Sequence, residues 1–495
     1  MTRAPLVVAT MLLIGCAPDL PTGGFRCSVE DSACPTGQHC SCGLCVKQDH
    51  EAACSFDVAV DGAPLTVREH QPFRITVSAK AADGALADRF AATVDLTFTL
   101  ADGTKWADVR PSTLALDKGV GSAMVTINRE TIPPQSPRLT ATFFGNSGGS
   151  SDVQVVAPTF VKDAAAIGNP GFGWATLNAG SPAVVFDGAK FRMYFTGSEP
   201  TIRLKIGLAT SSDGQTFTPM DAPIFPTVGA SYPPNDVSIL SAAPYQTPDG
   251  WKLAFYSQLS AQAMPLDISL VSSPDGATNF TPIAGGSPIL TRAACGSYCN
   301  DLVWFPSVLQ QPGSGVDGGT TSEWLMFFSA LQCNAPGGCS GYDNVAVSIG
   351  RARSTDGTSF VPEPAPVLSG DTGGEVYLTS PWVLRDGSVY KMWYAFTRTL
   401  GPTVSPCDPA AMAQIGYATS IDGFYWVRSP SNPVVTVGGD GWDASTPSLF
   451  LGSVVPLDGR DPESGLLLFY SGFRAIPIYP NCVPSGIGRA VAARR

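Results

Sequence analysis

Histidine is the scarcest side chain of catalytic interest in this 495-residue chain, with three copies, and only 14% of the residues are charged. His39, His50 and His70 all sit near the N-terminus, so nothing downstream of residue 70 can assemble a Ser-His-Asp nucleophile or a histidine metal site. Lys and Arg number 30 against 41 Asp and Glu, a net charge of −11 with no basic cluster. That excludes a phosphate-tracking nucleic-acid surface, and the acidity otherwise speaks only to solubility. Long amphipathic helical patterns are missing as well. In their place stand short alternating runs such as "FRMYFTG" and "KMWYAF", bounded by Gly, Asp and Pro, which is the pattern of an all-β protein. No cofactor is expected.

What is present begins with an export signal. Arg3 and the apolar run "APLVVATMLLIGC" read as a signal peptide over residues 1–15, too short to span a bilayer. Its end, Leu13-Ile14-Gly15-Cys16, resembles the bacterial lipobox, which implies acylation of Cys16. The protein would then be exported and held at the membrane only through that N-terminal lipid, facing the periplasm or the cell exterior. An ordinary signal peptide with a chance cysteine is the alternative. Of the 13 cysteines, setting Cys16 aside leaves 12, an even number suited to an oxidising compartment. Six of them (Cys27, Cys34, Cys40, Cys42, Cys45 and Cys54) crowd into residues 16–54, a segment too small for a core of its own. Three disulfides would hold it, in one of about 15 pairings, with a zinc knuckle using His39 and His50 as the competing reading.

Residues 55–157 lack cysteine and carry strand-like runs including "FRITVSAKA", "VDLTFTLADG", "GSAMVTIN" and "RLTATFFG". The stretch "DKGVGSAMVTIN…RLTATFFGNSGGSSDVQVV" resembles bacterial immunoglobulin-like domains, which implies a β-sandwich that serves as a spacer.

From residue 158 one phrase recurs: "IGLATSSDGQTF" at 206–217, "ISLVSSPDGATNF" at 268–280, "IGRARSTDGTSF" at 349–360, "IGYATSIDGFYW" at 415–426, and a truncated "IGRAV" at 487–491. Each full unit reads as four strands with Asp-Gly turns, and five such units over 158–495 describe a five-bladed β-propeller. The last unit lacks its outer strand, and "TFVKDAAAI" at 159–167 matches the missing piece, so the N-terminal end of the region is expected to close the ring. The repeated Asp residues are scaffold. They are similar to the sialidase Asp-box but depart from it in the Asp-Gly adjacency.

The units "SPAVVFDGAKFRMYFTG" at 181–197 and "SPWVLRDGSVYKMWYAF" at 380–396 resemble the five-bladed propeller glycosidases that include arabinanases, levansucrases and invertases. The resemblance implies a carbohydrate or polysaccharide partner and an axial funnel, with carboxylates placed just before successive inner strands. Asp236, Asp301, Glu375 and Asp443 occupy such positions in four units. Glu375 is the expected acid, Asp236 or Asp301 the base or nucleophile, and the remaining carboxylate or Asp443 the group that tunes its partner. The first unit has no carboxylate there, a departure that keeps open a glycan-binding protein without catalysis, or a protein-interaction propeller. Trp174, Asn235, Asn300, Trp304, Tyr377 and Trp442 are the expected sugar contacts, the rings for stacking and the amides for hydrogen bonds. Cys295–Cys299, Cys333–Cys339 and Cys407–Cys482 are the expected rim disulfides.

Overall fold

The computed structural model describes residues 26–28, 34–168, 171–199, 203–226, 237–259, 267–292, 294–314, 320–335, 344–371, 374–398, 413–438, 442–443, 446, 448–476 and 479–493. Among them the fold is all-β, with three short 3-10 turns and no α-helix. Cys16 and the leader lie outside the described residues, as do Asp236 and Asn235.

The six N-terminal cysteines pair as Cys27–Cys40, Cys34–Cys45 and Cys42–Cys54 around the hairpin Gln38–Ser41 and Leu44–Lys47. The zinc reading fails on the same observation, because every candidate thiolate is already bonded to another sulfur.

Residues 55–156 form two antiparallel sheets over one core, together with a two-stranded parallel pair, Leu65–Arg68 with Val153–Val156. One sheet holds Ser55–Val60, Phe73–Lys80, Val120–Ile127 and Val109–Arg110. The other holds Asn146–Ser150, Arg138–Phe143, Ala92–Thr99, Lys105–Ala107 and Thr113–Leu116. Alternation sends Phe73, Ile75, Val77 and Ala79 inward against Val94, Leu96, Phe98 and Leu139. Strand Phe73–Lys80 spans the unit, roughly 25 Å at ~3.3 Å per residue. At its Lys80 end lies the disulfide segment, where Asn146 Nδ2 donates to the carbonyls of Cys42 and Ala53 at 3.0 and 2.7 Å. At its Phe73 end lies the remainder of the chain.

That remainder folds as five four-stranded antiparallel sheets. Their innermost strands are Asn178–Phe186, Val237–Thr247, Leu302–Ser314, Val376–Asp386 and Ser448–Pro456, each touching the next and the last touching the first. The fifth sheet takes its outer strand from upstream, with Val161 and Lys162 pairing to Val491 and Ala490. Outer strands are only two residues long in every sheet, which leaves little unpaired edge.

The repeated phrase has a physical reading at each position. Its Ile is fully buried and bridges to the segment after the outer strand, as Ile206 does to Phe225 and Ile415 to Val435. The Gly that follows Ile in four units admits an aromatic ring from the neighbouring strand. A Cβ on Gly350 would stand 2.5 Å from Phe328 Cζ, and one on Gly488 would stand 2.5 Å from Tyr470 Cζ. The Asp closes the turn. Asp213 Oδ1 accepts the amides of Gln215 and Thr216 at 2.8 and 2.9 Å, which hold its carboxyl down to about 2. The final aromatic reaches the preceding sheet, as Phe217 does to Phe469 and Trp426 to Phe327.

Hydroxyl groups stitch the sheets together around the axis. Each inner strand carries a bulge, and in three of them a left-handed Ser donates its amide to the neighbouring sheet: Ser181 to Ser471 Oγ, Ser241 to Thr196 Oγ1 and Ser380 to Ser329 Oγ, at 2.5, 3.1 and 2.9 Å. The first and fifth sheets are joined a second time, by Val184 N to Ser453 Oγ at 2.8 Å.

The sandwich docks on the end of the ring formed by the turns between first and second strands. Lys391, fully buried, sits 2.6 Å from Glu69 Oε2 and 2.9 Å from Asp386 Oδ2. His70 Nε2 lies 2.7 Å from the same Asp386 oxygen, Arg110 reaches its other oxygen at 3.2 Å, and Tyr417 donates to Glu69 at 3.0 Å. Arg129, stacked 3.8 Å from the Trp106 ring, donates to Thr419 Oγ1 at 2.9 Å. Glu130 accepts from Ser429 at 3.0 Å, and its Oε1 is buried without a partner. Burial, reinforced by the negative charge of Glu69, pushes the Glu130 carboxyl up to about 8.

This sets a direction with pH. An unfolded Glu ionises near 4.5 while the docked one holds its proton to about 8, so stability should fall as pH rises through that window, by at most about 1.4 kcal/mol per unit. Thermal melts from pH 5.5 to 8 should therefore decline more steeply for the native protein than for Glu130→Gln. Equal slopes would show that the acid is ionised in place.

Candidate functional site

The end of the ring opposite the sandwich carries the connections that enter each inner strand, and the expected funnel residues fall there. The axis below them is nearly closed. At the level of the bulges the free space is about 20 Å³, bounded by Ser181, Ser241, Phe305, Ser380, Trp382 and Gly452. That admits a water molecule and excludes a sugar ring, so a ligand would have to bind above the bulges.

Two of the expected carboxylates are committed within their own sheets. Glu375 Oε2 accepts from Tyr394 OH at 2.5 Å and from Arg428 Nε at 2.7 Å, while Oε1 accepts from Asn432 at 2.8 Å. Asp443 is fully buried, 2.8 Å from Lys162 Nζ and 3.4 Å from Tyr470 OH. These are the same constellation built twice: a carboxylate before the inner strand, a Tyr on the second strand, and a cation on the outer strand, where Arg428 and Lys162 hold equivalent register positions against Ala418 and Ala490. Burial and the adjacent carboxylate raise Tyr394 and Tyr470 above the ordinary phenol value, so both remain donors. Both oxygens of Glu375 are engaged in this way, which leaves none for a leaving group, whereas Asp443 keeps one buried oxygen, Oδ1, without a partner. The acid role expected of Glu375 would require first dismantling an ion pair. Asp301 differs. It is half-buried, its amide donates to Leu331 O at 3.2 Å, and no described cation lies within 4.0 Å of its carboxyl.

The expected sugar contacts divide in the same way. Trp174 stacks on Phe195 and Trp442 on Tyr470, with centroids 6.1 and 5.9 Å apart, both against the glycines of the repeat. Trp174 is buried, so it packs the sheet interior where the sequence reading placed it on a funnel wall. Asn300 is occupied with backbone, accepting from Cys333 N at 2.8 Å and donating to Cys333 O at 3.1 Å. Trp304 is buried, and with Tyr256 it flanks a residue that sequence reasoning missed, Phe305. Phe305 is half-buried and left-handed (φ 49°) at the bulge where three other sheets carry Ser. Its ring lies 5.3 Å from Tyr256 and 6.1 Å from Phe450, stacked on the latter, with half-buried Tyr377 in the same cluster. A bulky side chain in that conformation costs of order 1–3 kcal/mol, and such strain collects at binding sites. The clue in the sequence was "WFPS" at 304–307, where the first and fourth sheets read "GSPA" and "TSPW".

The expected disulfide Cys295–Cys299 is formed, buried in the core shared by the second and third sheets, and Cys333 is also disulfide-bonded. Cys339, Cys407 and the Cys482 side chain lie outside the described residues.

No family model matches the chain. Two uncharacterized proteins of Mycobacterium tuberculosis, from strains CDC 1551 and H37Rv, are each 32% identical over 101 residues, 20% of this chain and 32% of their own length. The chain thus spans about a third of the curated relatives it matches. Solved structures with a similar chain path include glycoside hydrolases. One, described with the family-130 mannoside phosphorylases and the hydrolases among them that target β-1,2-mannosidic linkages, is 15% identical with a TM-score of 0.48, over 68% of this chain and 96% of its own. A glycosyl hydrolase from Bacteroides ovatus is 14% identical with a TM-score of 0.45, covering 68% and 93%. A thermostable family-43 glycoside hydrolase is 16% identical with a TM-score of 0.42, covering 63% and 88%. No residue role passes across at such identities.

Proposed function

We propose that the five sheets are the blades of a five-bladed propeller, that residues 55–157 are an immunoglobulin-like spacer, and that Cys16 carries the lipid that anchors this exported protein. The propeller binds carbohydrate at its mouth, on the platform of Phe305 and Tyr377. The observation that carries this reading is the strained, half-buried Phe305 among Tyr256, Trp304 and Phe450, above an axis too narrow for a sugar. Apolar sugar faces stack on such rings. The engaged states of Glu375 and Asp443 favour binding without cleavage by those two groups. A hydrolytic reading rests on Asp301, which no described cation neutralises, acting with a second carboxylate.

A glycan and polysaccharide screen of the exported chain separates the two. Phe305→Ser, which installs the residue that other blades carry at that bulge, should weaken glycan binding about tenfold, the worth of about one good ring contact. No sugar should be released by the native protein. Release that disappears in Asp301→Asn would establish the hydrolase instead, and binding unchanged in Phe305→Ser would remove the platform.

A further inference from the structure

Between the sandwich and the fifth sheet lies a cavity of about 270 Å³, away from the mouth. The sandwich contributes Arg68 and His70, and the fifth sheet contributes Val161, Leu466, Val491 and Ala492, which make the floor apolar. Two carboxylates in the wall are already engaged: Glu69 by Lys391 and Tyr417, and Glu463 by Arg110 at 3.5 Å and the Thr126 hydroxyl at 3.0 Å.

Arg68 is different. Its Nε donates to Thr159 Oγ1 at 3.0 Å, and no described carboxylate lies within 4.0 Å of its guanidinium. His70 is 6% exposed and lines the cavity, and its Nδ1 has no hydrogen-bond partner. Its Nε2 lies 2.7 Å from Asp386 Oδ2 and 3.3 Å from Lys391 Nζ, which leaves Nδ1 as the ring nitrogen without a partner. A cation with no counter-ion among the described residues, an unpartnered buried ring nitrogen and an apolar floor meet in one space.

We propose that this junction cavity binds a small carboxylate with an apolar tail, of the medium-chain fatty acid class. The head group pairs with Arg68 and faces His70, and the tail covers Val161, Leu466 and Ala492. Because the cavity is walled by both units, its occupant would fasten the sandwich to the propeller, and binding would raise the unfolding midpoint.

Octanoate is the probe and octanol its uncharged control, titrated calorimetrically into the full chain. Octanoate should bind saturably and at least about tenfold more tightly than octanol, the margin of a charge-assisted pair. Arg68→Gln, at an exposed position, should erase that difference. Val161→Trp, on an outer strand where Val161 is 56% exposed, should fill the floor and abolish binding of both. Equal affinity for acid and alcohol, indifference to Arg68→Gln, or no saturable binding of octanoate would each overturn the proposal.

Discussion

Lys391→Met is expected to destabilise the protein by about 3–5 kcal/mol, because it leaves Glu69 and Asp386 facing each other in a buried junction without their shared cation. Asp386 retains Arg110 and His70, whereas Glu69 retains only hydrogen bonds from Tyr417 and the Glu130 amide. Adding Glu69→Gln to Lys391→Met should therefore recover part of the loss, and the recovered part plus the cost of Glu69→Gln alone is the coupling energy of the pair. Denaturant unfolding of the two single variants, the double variant and the native protein measures it. Protease should also cut near residues 157–160 faster in Lys391→Met if the junction holds the two units together. Unchanged midpoints in the single variant would mean that water reaches these charges.

Gly452→Ala is the second large effect. A Cβ there would stand 2.2 Å from the Pro182 carbonyl oxygen and 2.7 Å from Pro182 Cγ, where the inner strands of the fifth and first sheets pass each other. Backbone cannot yield as a side-chain tip does, so the two strands must part, straining the Ser181–Ser471 and Val184–Ser453 bonds. The expected loss is at least about 3 kcal/mol, against about 1–3 kcal/mol for Ser453→Ala, which only orphans one buried amide. Thermal melts of both variants decide it. A Gly452→Ala protein no less stable than Ser453→Ala would show that the ring tolerates opening at this seam.

The division into sheets was legible in the sequence because its cues are local. Alternation, Asp-Gly turns and the Ile-Gly phrase each act within about a dozen residues, and "TFVKDAAAI" announced the upstream outer strand by likeness to its counterparts. The junction was not legible. Asp386 reads as half of a tight turn and Lys391 as an ordinary position in "VYKMWYAF", yet Lys391 meets Glu69 across 322 positions of chain. Nothing short-range distinguishes a turn Asp that faces water from one capped by a second unit.

The candidate site was legible only in part, for a similar reason. Glu375 and Asp443 stand out as carboxylates at the right place, but whether they are open or paired is decided by Arg428 and Lys162, which arrive on outer strands. One signal was available. The two units with those acids are also the two with Tyr rather than Phe at the second-strand position opposite the residue that follows the repeat's Ile, as "WYAF" and "FYSG" show, and with a basic residue in the outer strand, as "VRS" and "VKD" show.

The outer strand of the fifth sheet also dictates an order of events during synthesis. Val161 and Lys162 leave the ribosome before any inner strand of the ring, and their partners Val491 and Ala490 come almost at the end of the chain. Four sheets can therefore form in sequence while the ring stays open, with the first inner strand exposed along the flank that the fifth will cover. Closure is a single late step that joins segments made at opposite times. The finished shape therefore cannot lock until nearly the whole chain has been made.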